Sequence, residues 1–295
     1  MKIGVLSPKN SLLSIRIYAE HIVEYLESRG VEVVHFLETG PLPQEVDLYW
    51  DPRSSGGKAP KPILKDVKKP LVVTVHGAGP FSIPGNEYFP NLKERLKGRI
   101  NKVRDYRNWQ NRKGWCSAFI AVSEYCKWEI SKYFSLDEKM ITPIYHGKNE
   151  ALFKPSISKD QSEEPFLLHV SSYQPKKNVG RIIEAYGMIE SQDKPKLKLI
   201  VPGFKQQDVP AGVELVTEKK RPEEIAHLLQ QAMGFVFPST HETFGLPIIE
   251  AMACGCPVIT SNTTACKEIG GDAAILVNPK SVICLLYTSP SPRDA

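Results

Sequence analysis

Residues 235–260 read FVFPSTHETFGLPIIEAMACGCPVIT. The first three residues, Phe235–Phe237, have the apolar character of a buried strand. A helix is predicted to begin near Leu246, because Pro247 suits the first turn of a helix, where its missing N–H costs nothing. A Gly-Cys-Pro sequence that starts at Gly255 ends the helix. The stretch therefore predicts a strand, a loop and a helix N-terminus in succession.

This arrangement can bind a phosphorylated ligand. A helix N-terminus has free backbone N–H groups and a partial positive charge, which together hold a phosphate without dedicated basic side chains. Gly245 allows a ligand to approach the backbone closely. Glu242 precedes the helix and Glu250 follows in its first turns, so one carboxylate can face a sugar while the other accepts hydrogen bonds from ribose hydroxyls.

Outside this stretch, short apolar runs alternate with longer amphipathic segments, which indicates strand-helix-strand units around parallel sheets. In the first half, Ser14–Arg29 has the apolar spacing of a helix and stops at Gly30. The strands predicted there are Lys2–Ser7, Val31–Phe36, Leu71–Val75, Ala118–Val122 and Ile141–Tyr145.

A polar linker, Ser156–Glu164, separates this half from a second α/β series. The second series has predicted strands at Phe166–Val170, Leu197–Val201, Val213–Val216, Phe235–Phe237, Val258–Thr260 and Ala274–Val277, and helices at Asn178–Glu190, Pro222–Ala232 and Leu246–Cys254. We therefore predict two α/β domains, an N-terminal one over 1–155 and a C-terminal one over 165–283.

Three segments carry a family resemblance. Residues 241–259, HETFGLPIIEAMACGCPVI, resemble the E-x7-E signature of the retaining glycosyltransferase family 4, which has the GT-B fold. Residues 168–178, LHVSSYQPKKN, are similar to the family segment in which Lys177 corresponds to the lysine that contacts the donor diphosphate. Residues 72–79, VVTVHGAG, resemble the strand that ends in a histidine near the reacting sugar, here His76. One departure is Ser172, where the family often has an arginine, so Lys177 acts alone or with Lys176.

The resemblance implies two Rossmann-like domains with parallel sheets facing a central cleft. The N-terminal domain (1–155) is implied to hold the acceptor, and the C-terminal domain (165–283), which is incomplete on this interpretation, to bind the nucleotide sugar. It also implies a glycosyltransferase that moves a sugar, with retention, from a UDP-, GDP- or ADP-sugar to a glycan, lipid or small-molecule hydroxyl in cell-envelope or polysaccharide synthesis. No metal and no cofactor beyond this co-substrate is implied. The implied catalytic residues are Glu242, Lys177 and His76, and the donor-binding residues are Lys177, Thr243, Phe244, Gly245, Leu246 and Glu250.

Other interpretations stay open. The rival functions are a catalytically silent nucleotide-sugar-binding module and another GT-B enzyme, an epimerase or a phosphorylase. Taken singly, Glu250 fits an acidic surface helix, Lys177 a solvated loop lysine and His76 a structural loop histidine. No GxGxxG occurs, which argues against a nicotinamide or flavin enzyme.

The composition is that of a soluble globular protein. The net charge of +5 over 295 residues indicates no nucleic-acid partner. The six cysteines are irregularly spaced, and the chain starts with a strand rather than a signal peptide, so we expect a cytoplasmic protein with reduced thiols. Cys254 and Cys256 lack a second ligand pair at zinc spacing, which favours buried packing over a metal site.

Residues 92–115 form a basic amphipathic segment with nine basic and two acidic residues. Its apolar residues share one helical face: Leu92, Leu96, Ile100, Val103 and Tyr106. The preferred interpretation is a helix that packs this face on its own domain. The alternative is peripheral contact with an anionic membrane.

Residues 284–295, CLLYTSPSPRDA, break the pattern because the Ser-Pro repeats continue neither a helix nor a central strand. The string resembles a translated sequencing adapter, so we predict a non-native tail on an incomplete second domain. On that interpretation the chain is poorly stable and nearly inactive.

Overall fold

A computed structural model describes residues 1–9, 11–156, 164–191, 194–205 and 209–287. They form two compact units. The first unit consists of Met1–Gly85 and Asn91–His146, and the second of Asn86–Pro90 and the chain from Gly147 onward. The division after His146 comes earlier in the chain than the linker predicted at 156–164, of which residues 157–163 lie outside the described residues.

The first unit is organised around a six-stranded parallel sheet. In chain order its elements are β1 (Lys2–Leu6), α1 (Leu13–Ser28), β2 (Glu32–Phe36), β3 (Leu48–Ser54), β4 (Leu71–Val75), α3 (Leu92–Arg112), β5 (Ala118–Ala121), α4 (Glu124–Phe134) and β6 (Ile141–Pro143). A short helix, α2 (Gly85–Tyr88), lies between β4 and α3 in the chain, and all but its first residue belongs to the second unit. The strand order is β2-β1-β3-β4-β5-β6. Every predicted strand of this half is present, within two residues at its ends.

Helix α1 confirms the predicted amphipathic crossover. It buries Ile15, Ala19 and Val23 against the sheet, because residues four apart lie on one face of a helix. The chain leaves the helix at Gly30, whose φ of 79° is in the left-handed region that glycine adopts at little cost.

Strand β3 was not predicted. It lies in the middle of the sheet, but its sequence contains Asp51, Pro52 and Arg53, a combination typical of a loop. The buried Arg53 Nε donates to Asp51 Oδ1 at 3.0 Å, and its Nη1 pairs with Glu38 Oε1 at 2.7 Å, so the charges neutralise each other. The pairing with β4 shifts register between Asp51 and Ser54, and an irregularity of this kind is where a strand tolerates proline.

Helix α3 corrects the preferred interpretation of the basic segment. Its buried residues are Gly98, Asp105 and Trp109, and Trp109 stacks on Phe134 with ring centroids 4.5 Å apart. The apolar stripe predicted to pack on the domain faces away from it: Leu92, Leu96, Ile100, Val103 and Tyr106 are all exposed. A single large aromatic residue, rather than the stripe, therefore fixes the rotation of this helix.

The second unit also contains a six-stranded parallel sheet. Its elements are β7 (Phe166–Val170), α5 (Val179–Gly187), β8 (Lys196–Ile200), β9 (Val213–Val216), α6 (Pro222–Gln231), β10 (Gly234–Phe237), α7 (Leu246–Ala253), β11 (Val258–Ser261), α8 (Thr264–Gly270), β12 (Ala274–Val277) and α9 (Val282–Tyr287). The strand order, β12-β11-β10-β7-β8-β9, is that of a dinucleotide-binding Rossmann fold.

Strands β7 and β10 are neighbours in the second sheet, although α5, β8, β9 and α6 separate them along the chain. The order of the strands reverses direction at this pair. In open parallel sheets the ligand binds outside the carboxyl ends of the strands at such a reversal. The loops that follow β7 and β10 therefore occupy the position where a ligand is expected.

The second sheet is buried on both faces, which explains the continuous apolar character of its strands. Phe166, Leu168 and Phe235 pack with α6 and α7 in one cluster, whereas Leu167 and Val236 pack with α5 in another. Alternate residues of a strand point to opposite faces, so one apolar run fills two core layers.

The chain remains folded past the predicted boundary at Cys284. Helix α9 runs through Tyr287, and Leu285 is buried in the same cluster as α5. Residues 288–295, which make up most of the predicted tail, lie outside the described residues. Within the described ranges, no helix combines the length and the hydropathy required to cross a bilayer.

Candidate active site

The site is built on the carboxyl ends of β7 and β10. After β7 the chain makes a short 3-10 turn, Pro175–Lys177, and enters α5. After β10 it passes through residues 238–245 and enters α7. Thr240 joins the two loops, since its backbone N–H donates to the carbonyl oxygen of Lys176 at 2.8 Å.

An ion pair between the two loops lies at the centre of the site. Lys177 Nζ donates to Glu242 Oε1 at 2.5 Å, and the two side chains are only 13% and 11% exposed. The ammonium also lies over the ring of Phe237, 4.8 Å from its centroid. The sequence-predicted residues Lys177 and Glu242 are thus brought into direct contact across 65 residues of chain.

Glu242 is held in its ionised form. Burial works to raise the pKa of this carboxyl, but the Lys177 and Lys176 ammonium groups and the hydrogen bond from Lys177 outweigh it and lower the pKa to about 2. Lys176 thus adds a positive charge to the site. This extra charge is relevant because the chain has Ser172 where the family often has an arginine. The carboxylate is therefore negative at neutral pH and directly paired with the Lys177 ammonium.

A buried histidine lies beside this ion pair. His169 Nδ1 donates to the carbonyl oxygen of Val236 at 2.7 Å, and its Nε2 lies 2.9 Å from the hydroxyl of Ser171. Burial lowers the pKa of His169 to about 4, so the ring is neutral and accepts the Ser171 hydroxyl through Nε2. The neutral ring braces the end of β7 without adding charge beside Lys177.

Asn178 fixes the position of the adjacent Lys177. Its φ of 65° is left-handed, and although it directly precedes α5, its side chain does not cap that helix. The buried Nδ2 donates instead to the carbonyl oxygens of Pro238 at 3.0 Å and Pro279 at 2.6 Å. One amide therefore ties the loop after β7 to those after β10 and β12. Sequence reasoning missed this role, because nothing in the local pattern identifies the distant carbonyls.

The N-terminus of α7 confirms the predicted entry. Leu246 begins the helix, and Gly245 precedes it with a φ of 103°. A side chain at Gly245 would be strained by this backbone and would come within 3.0 Å of Ile248 Cδ1. Phe244 is buried and Thr243 half-buried, so Phe244 can meet a donor through its backbone rather than through its ring.

Glu250 differs from Glu242 in its surroundings. Among the residues that the structure describes, it has no ion-pair or hydrogen-bond partner for its half-buried carboxyl group. Burial alone raises its pKa to about 7. The two glutamates therefore differ. Glu242 is held ionised by its lysine partner, whereas the carboxyl group of Glu250 is open to hydrogen bonds from a bound ligand.

His76 lies in the first unit, at the end of β4. Its Nε2 donates to the carbonyl oxygen of Pro52 at 2.8 Å, and burial lowers its pKa to about 4. The ring stacks on His146 and meets the edge of Tyr18, with centroids 5.9 Å and 5.0 Å away. His76 is therefore a neutral histidine whose Nδ1 is the acceptor. The contact with His146, whose pKa is also lowered to about 4 by burial and by His76, was not predicted.

Five of the six cysteines are buried, and Cys284 is exposed. Cys254 and Cys256 are buried thiols in the core cluster around α6 and α7, as predicted. Within the described ranges, no group of three or more His, Cys, Asp or Glu side chains is placed to hold a metal ion.

The two units, each built on a six-stranded parallel sheet, have the fold class of the GT-B glycosyltransferases. The predicted lysine and glutamates lie in the second unit, next to the reversal of its strand order. Residues 152–285 match the family model described as "Glycosyl transferases group 1". The match supports the recognition made from the sequence.

Two curated relatives that the chain resembles are also described as glycosyltransferases. The chain is 28% identical over 230 residues to the O-antigen chain mannosyltransferase B of Escherichia coli, covering 72% of this chain and 58% of the relative. It is 28% identical over 218 residues to the O-antigen chain mannosyltransferase RfbU of Salmonella typhimurium, covering 70% and 56%. The chain thus spans somewhat more than half the length of these relatives.

Solved structures confirm the fold class. Sucrose-phosphate synthase from Thermosynechococcus elongatus matches with a TM-score of 0.69 at 18% identity, over 97% of this chain and 88% of that one. Anabaena HepE in complex with UDP-glucose matches with a TM-score of 0.62, also at 18% identity and with the same coverage. The α/β, GT-B class predicted from the sequence is therefore correct, whereas the predicted cleft between the domains stays a prediction.

Proposed function

We propose that the protein is a retaining glycosyltransferase that moves a hexose from a nucleotide-sugar donor to a hydroxyl group of a glycan or lipid acceptor. The observation that carries this proposal is the buried Lys177–Glu242 pair at the reversal point of the second sheet, beside the N-terminus of α7. A cation, an ionised carboxylate and a helix N-terminus together suit a ligand that joins a diphosphate to a polyol.

Lys177 and α7 would hold the donor diphosphate. In the protein alone, Glu242 neutralises the Lys177 ammonium at 2.5 Å. A bound diphosphate offers this ammonium a second, more highly charged acceptor, and the amides at the start of α7 add the partial positive charge of a helix N-terminus. These groups stabilise the negative charge that builds on the diphosphate as the glycosidic bond breaks.

The two glutamates would bind hydroxyl groups. Glu242, ionised and fixed by Lys177, suits hydroxyls of the transferred sugar. Glu250 lies about one turn into α7 and has a carboxyl group that no described residue satisfies, which suits the ribose hydroxyls. His76 in the first unit, neutral with Nδ1 as acceptor, suits a further hydroxyl of the reacting sugar.

The reaction balances without a protein base. The bond between the anomeric carbon and the diphosphate oxygen breaks, and the acceptor oxygen forms a new bond to the same carbon on the same face. The departing diphosphate accepts the proton of the incoming hydroxyl. Lys177 and the α7 amides supply the charge stabilisation that a divalent ion would otherwise provide, so we propose transfer without a metal.

The comparisons support a hexose donor. The curated relatives described above are mannosyltransferases of O-antigen chains, and a solved structure of similar fold, HepE, binds UDP-glucose. We propose a role in polysaccharide synthesis, with GDP-mannose and UDP-glucose as the first donors to test.

The test is turnover of these donors by the purified chain, measured as release of nucleoside diphosphate with and without an oligosaccharide or lipid acceptor. We expect acceptor-stimulated release that persists in EDTA and falls by at least about a hundredfold in Lys177→Met, a loss typical of removing one group that stabilises transition-state charge. Lys196→Met, which alters an exposed lysine of the same unit, is the matched control and keeps full activity. Binding without release would instead support a silent module, and turnover that requires inorganic phosphate would support a phosphorylase.

A further inference from the structure

We propose that helix α3 is a membrane-docking element that lies flat on a bilayer rich in anionic lipid. Its apolar stripe consists of Leu92, Leu96, Ile100, Val103 and Tyr106. The proposal does not depend on the transfer reaction, because it concerns a surface of the first unit and is tested by binding to vesicles.

The apolar stripe is exposed along its whole length. Leu92 is 67% exposed, Leu96 53%, Ile100 73%, Val103 54% and Tyr106 43%. Spacings of three and four residues place these side chains on one face of the helix, over about four turns. Isolated exposed apolar residues are ordinary on a protein surface, but a continuous stripe of this length indicates an interaction site.

The stripe cannot turn inward, because the opposite side of the helix is anchored. Trp109 stacks on Phe134, and its indole Nε1 donates to the carbonyl oxygen of Gly57 at 3.0 Å. Asn91 caps the N-terminus by accepting the amide of Glu94 at 2.9 Å. The helix is therefore fixed with its apolar stripe facing outward.

Basic side chains lie at one border of the stripe and within it. At 100° per residue, Lys93 and Lys97 lie just beyond the border formed by Ile100, while Arg99 and Arg107 lie between the apolar residues. These four side chains are exposed and have no ion-pair or hydrogen-bond partner elsewhere in the described part of the chain. Their charges are therefore available to a partner.

The positions of these charges identify the partner. An apolar face with unpaired cations at one border and between its apolar residues matches a bilayer interface, where the apolar residues enter the acyl region and the cations meet anionic headgroups. A second copy of the chain would bring the same cations together and repel. Long basic side chains also extend along apolar surface toward the headgroups, which suits those at the border of the stripe and within it.

The test is co-sedimentation of the full chain with vesicles of phosphatidylcholine alone or with 30–40% phosphatidylglycerol, roughly the anionic content that gives a strong surface potential. We expect binding to the anionic vesicles that is at least about tenfold stronger than to neutral ones and is weakened by 0.5 M NaCl. Equal binding to both vesicles, or none to either, would overturn the proposal.

Two variants separate the contributions of the stripe and the charges. Leu96→Ser/Ile100→Ser removes apolar surface, and we expect at least about a tenfold loss of binding to anionic vesicles. Its matched control, Met188→Ser/Ile275→Ser, alters two similarly exposed residues of the second unit and leaves binding unchanged. All four positions are exposed, so melting temperatures close to that of the unaltered chain verify folding.

The second variant, Lys93→Glu/Lys97→Glu/Arg107→Glu, reverses charges on α3. Its control, Lys65→Glu/Lys68→Glu/Lys69→Glu, makes the same change of net charge at exposed positions outside this helix. We expect the first triple variant to lose the preference for anionic vesicles and the second to retain most of it. Equal losses in both would mean that net charge alone drives binding, and the proposal for α3 would be wrong. A wild-type dimer that becomes monomeric in the Leu96/Ile100 variant, with vesicle binding intact, would assign the stripe to self-association instead.

Discussion

Replacing Lys177 by methionine tests the electrostatic core of the site. The change leaves the buried Glu242 carboxylate without its ammonium partner while keeping most of the volume of the side chain. The pKa of Glu242 is lowered from 4.5 to about 2, and each unit of such a shift corresponds to 1.36 kcal/mol, so the pairing stabilises the folded state by about 3 kcal/mol. Breaking a buried ion pair from one side typically costs 3–5 kcal/mol. We therefore expect Lys177→Met to destabilise the protein by about 3 kcal/mol at pH 7.

The pH dependence has a definite sign. Because the pKa of Glu242 in the folded state lies below its unfolded value, the stabilisation is fully present above about pH 4.5 and is lost as the pH falls from there toward 2. The difference in the free energy of unfolding between wild type and Lys177→Met should therefore be largest at pH 6–8 and shrink below pH 4.5.

Urea unfolding followed by circular dichroism measures this difference for Lys177→Met, Glu242→Gln and the double variant. We expect the double variant to be less destabilised than the sum of the single ones, by about 2 kcal/mol, since neither charge is then left alone. Lys196→Met is the matched control: the exposed pair of Lys196 with Glu164 should contribute nothing measurable. A Lys177→Met variant as stable as Lys196→Met, or strictly additive effects, would refute the reasoning.

Three further predictions concern the same site. Asn178→Ala should cost about 2–4 kcal/mol in urea unfolding, because two carbonyl oxygens lose a buried donor, and a cost below 1 kcal/mol would contradict its bridging role. Gly245→Ala should cost about 1–2 kcal/mol and weaken donor binding, because its φ is 103° and the added methyl group meets Ile248; unchanged binding in calorimetry would remove Gly245 from the site. Donor affinity measured from pH 6 to pH 8 should rise as Glu250 ionises through its pKa of about 7 and be flat in Glu250→Gln, whereas the same rise in both would assign the titration to another group.

Most of the fold could be predicted because both sheets use strands with a strong local signal. Runs such as Phe235–Phe237 are apolar throughout, since parallel strands covered on both faces have no polar side. Strand β3 escaped prediction because its stability comes from contacts distant in sequence: Arg53 is neutralised by Asp51 and Glu38, and Pro52 lies at a register shift against β4. A local pattern cannot reveal such compensation.

The basic helix shows a different limit of prediction. Its periodicity correctly indicated an amphipathic helix, but periodicity does not tell which face is buried. Trp109, at the edge of the pattern, packs on Phe134 and sets the rotation, and the apolar stripe faces outward as a result. The common assumption that apolar faces pack inward failed at this helix, which is therefore a candidate for function.

The candidate site could be predicted residue by residue but not as a geometry. The sequence identified Lys177, Glu242 and Glu250, yet the contact between the first two depends on β7 and β10 becoming neighbours. The opposite pKa shifts of the two glutamates follow from their three-dimensional surroundings, because one has a lysine partner and the other has none among the described residues.

The most direct test of the account is calorimetric binding of a nucleoside diphosphate and the matching monophosphate to the wild-type chain and to Lys177→Met. If Lys177 and the start of α7 hold the diphosphate of a sugar nucleotide, the wild type should bind UDP or GDP at least about tenfold more tightly than UMP or GMP, and Lys177→Met should lose most of that advantage. An undiminished preference for the diphosphate in Lys177→Met would contradict the account.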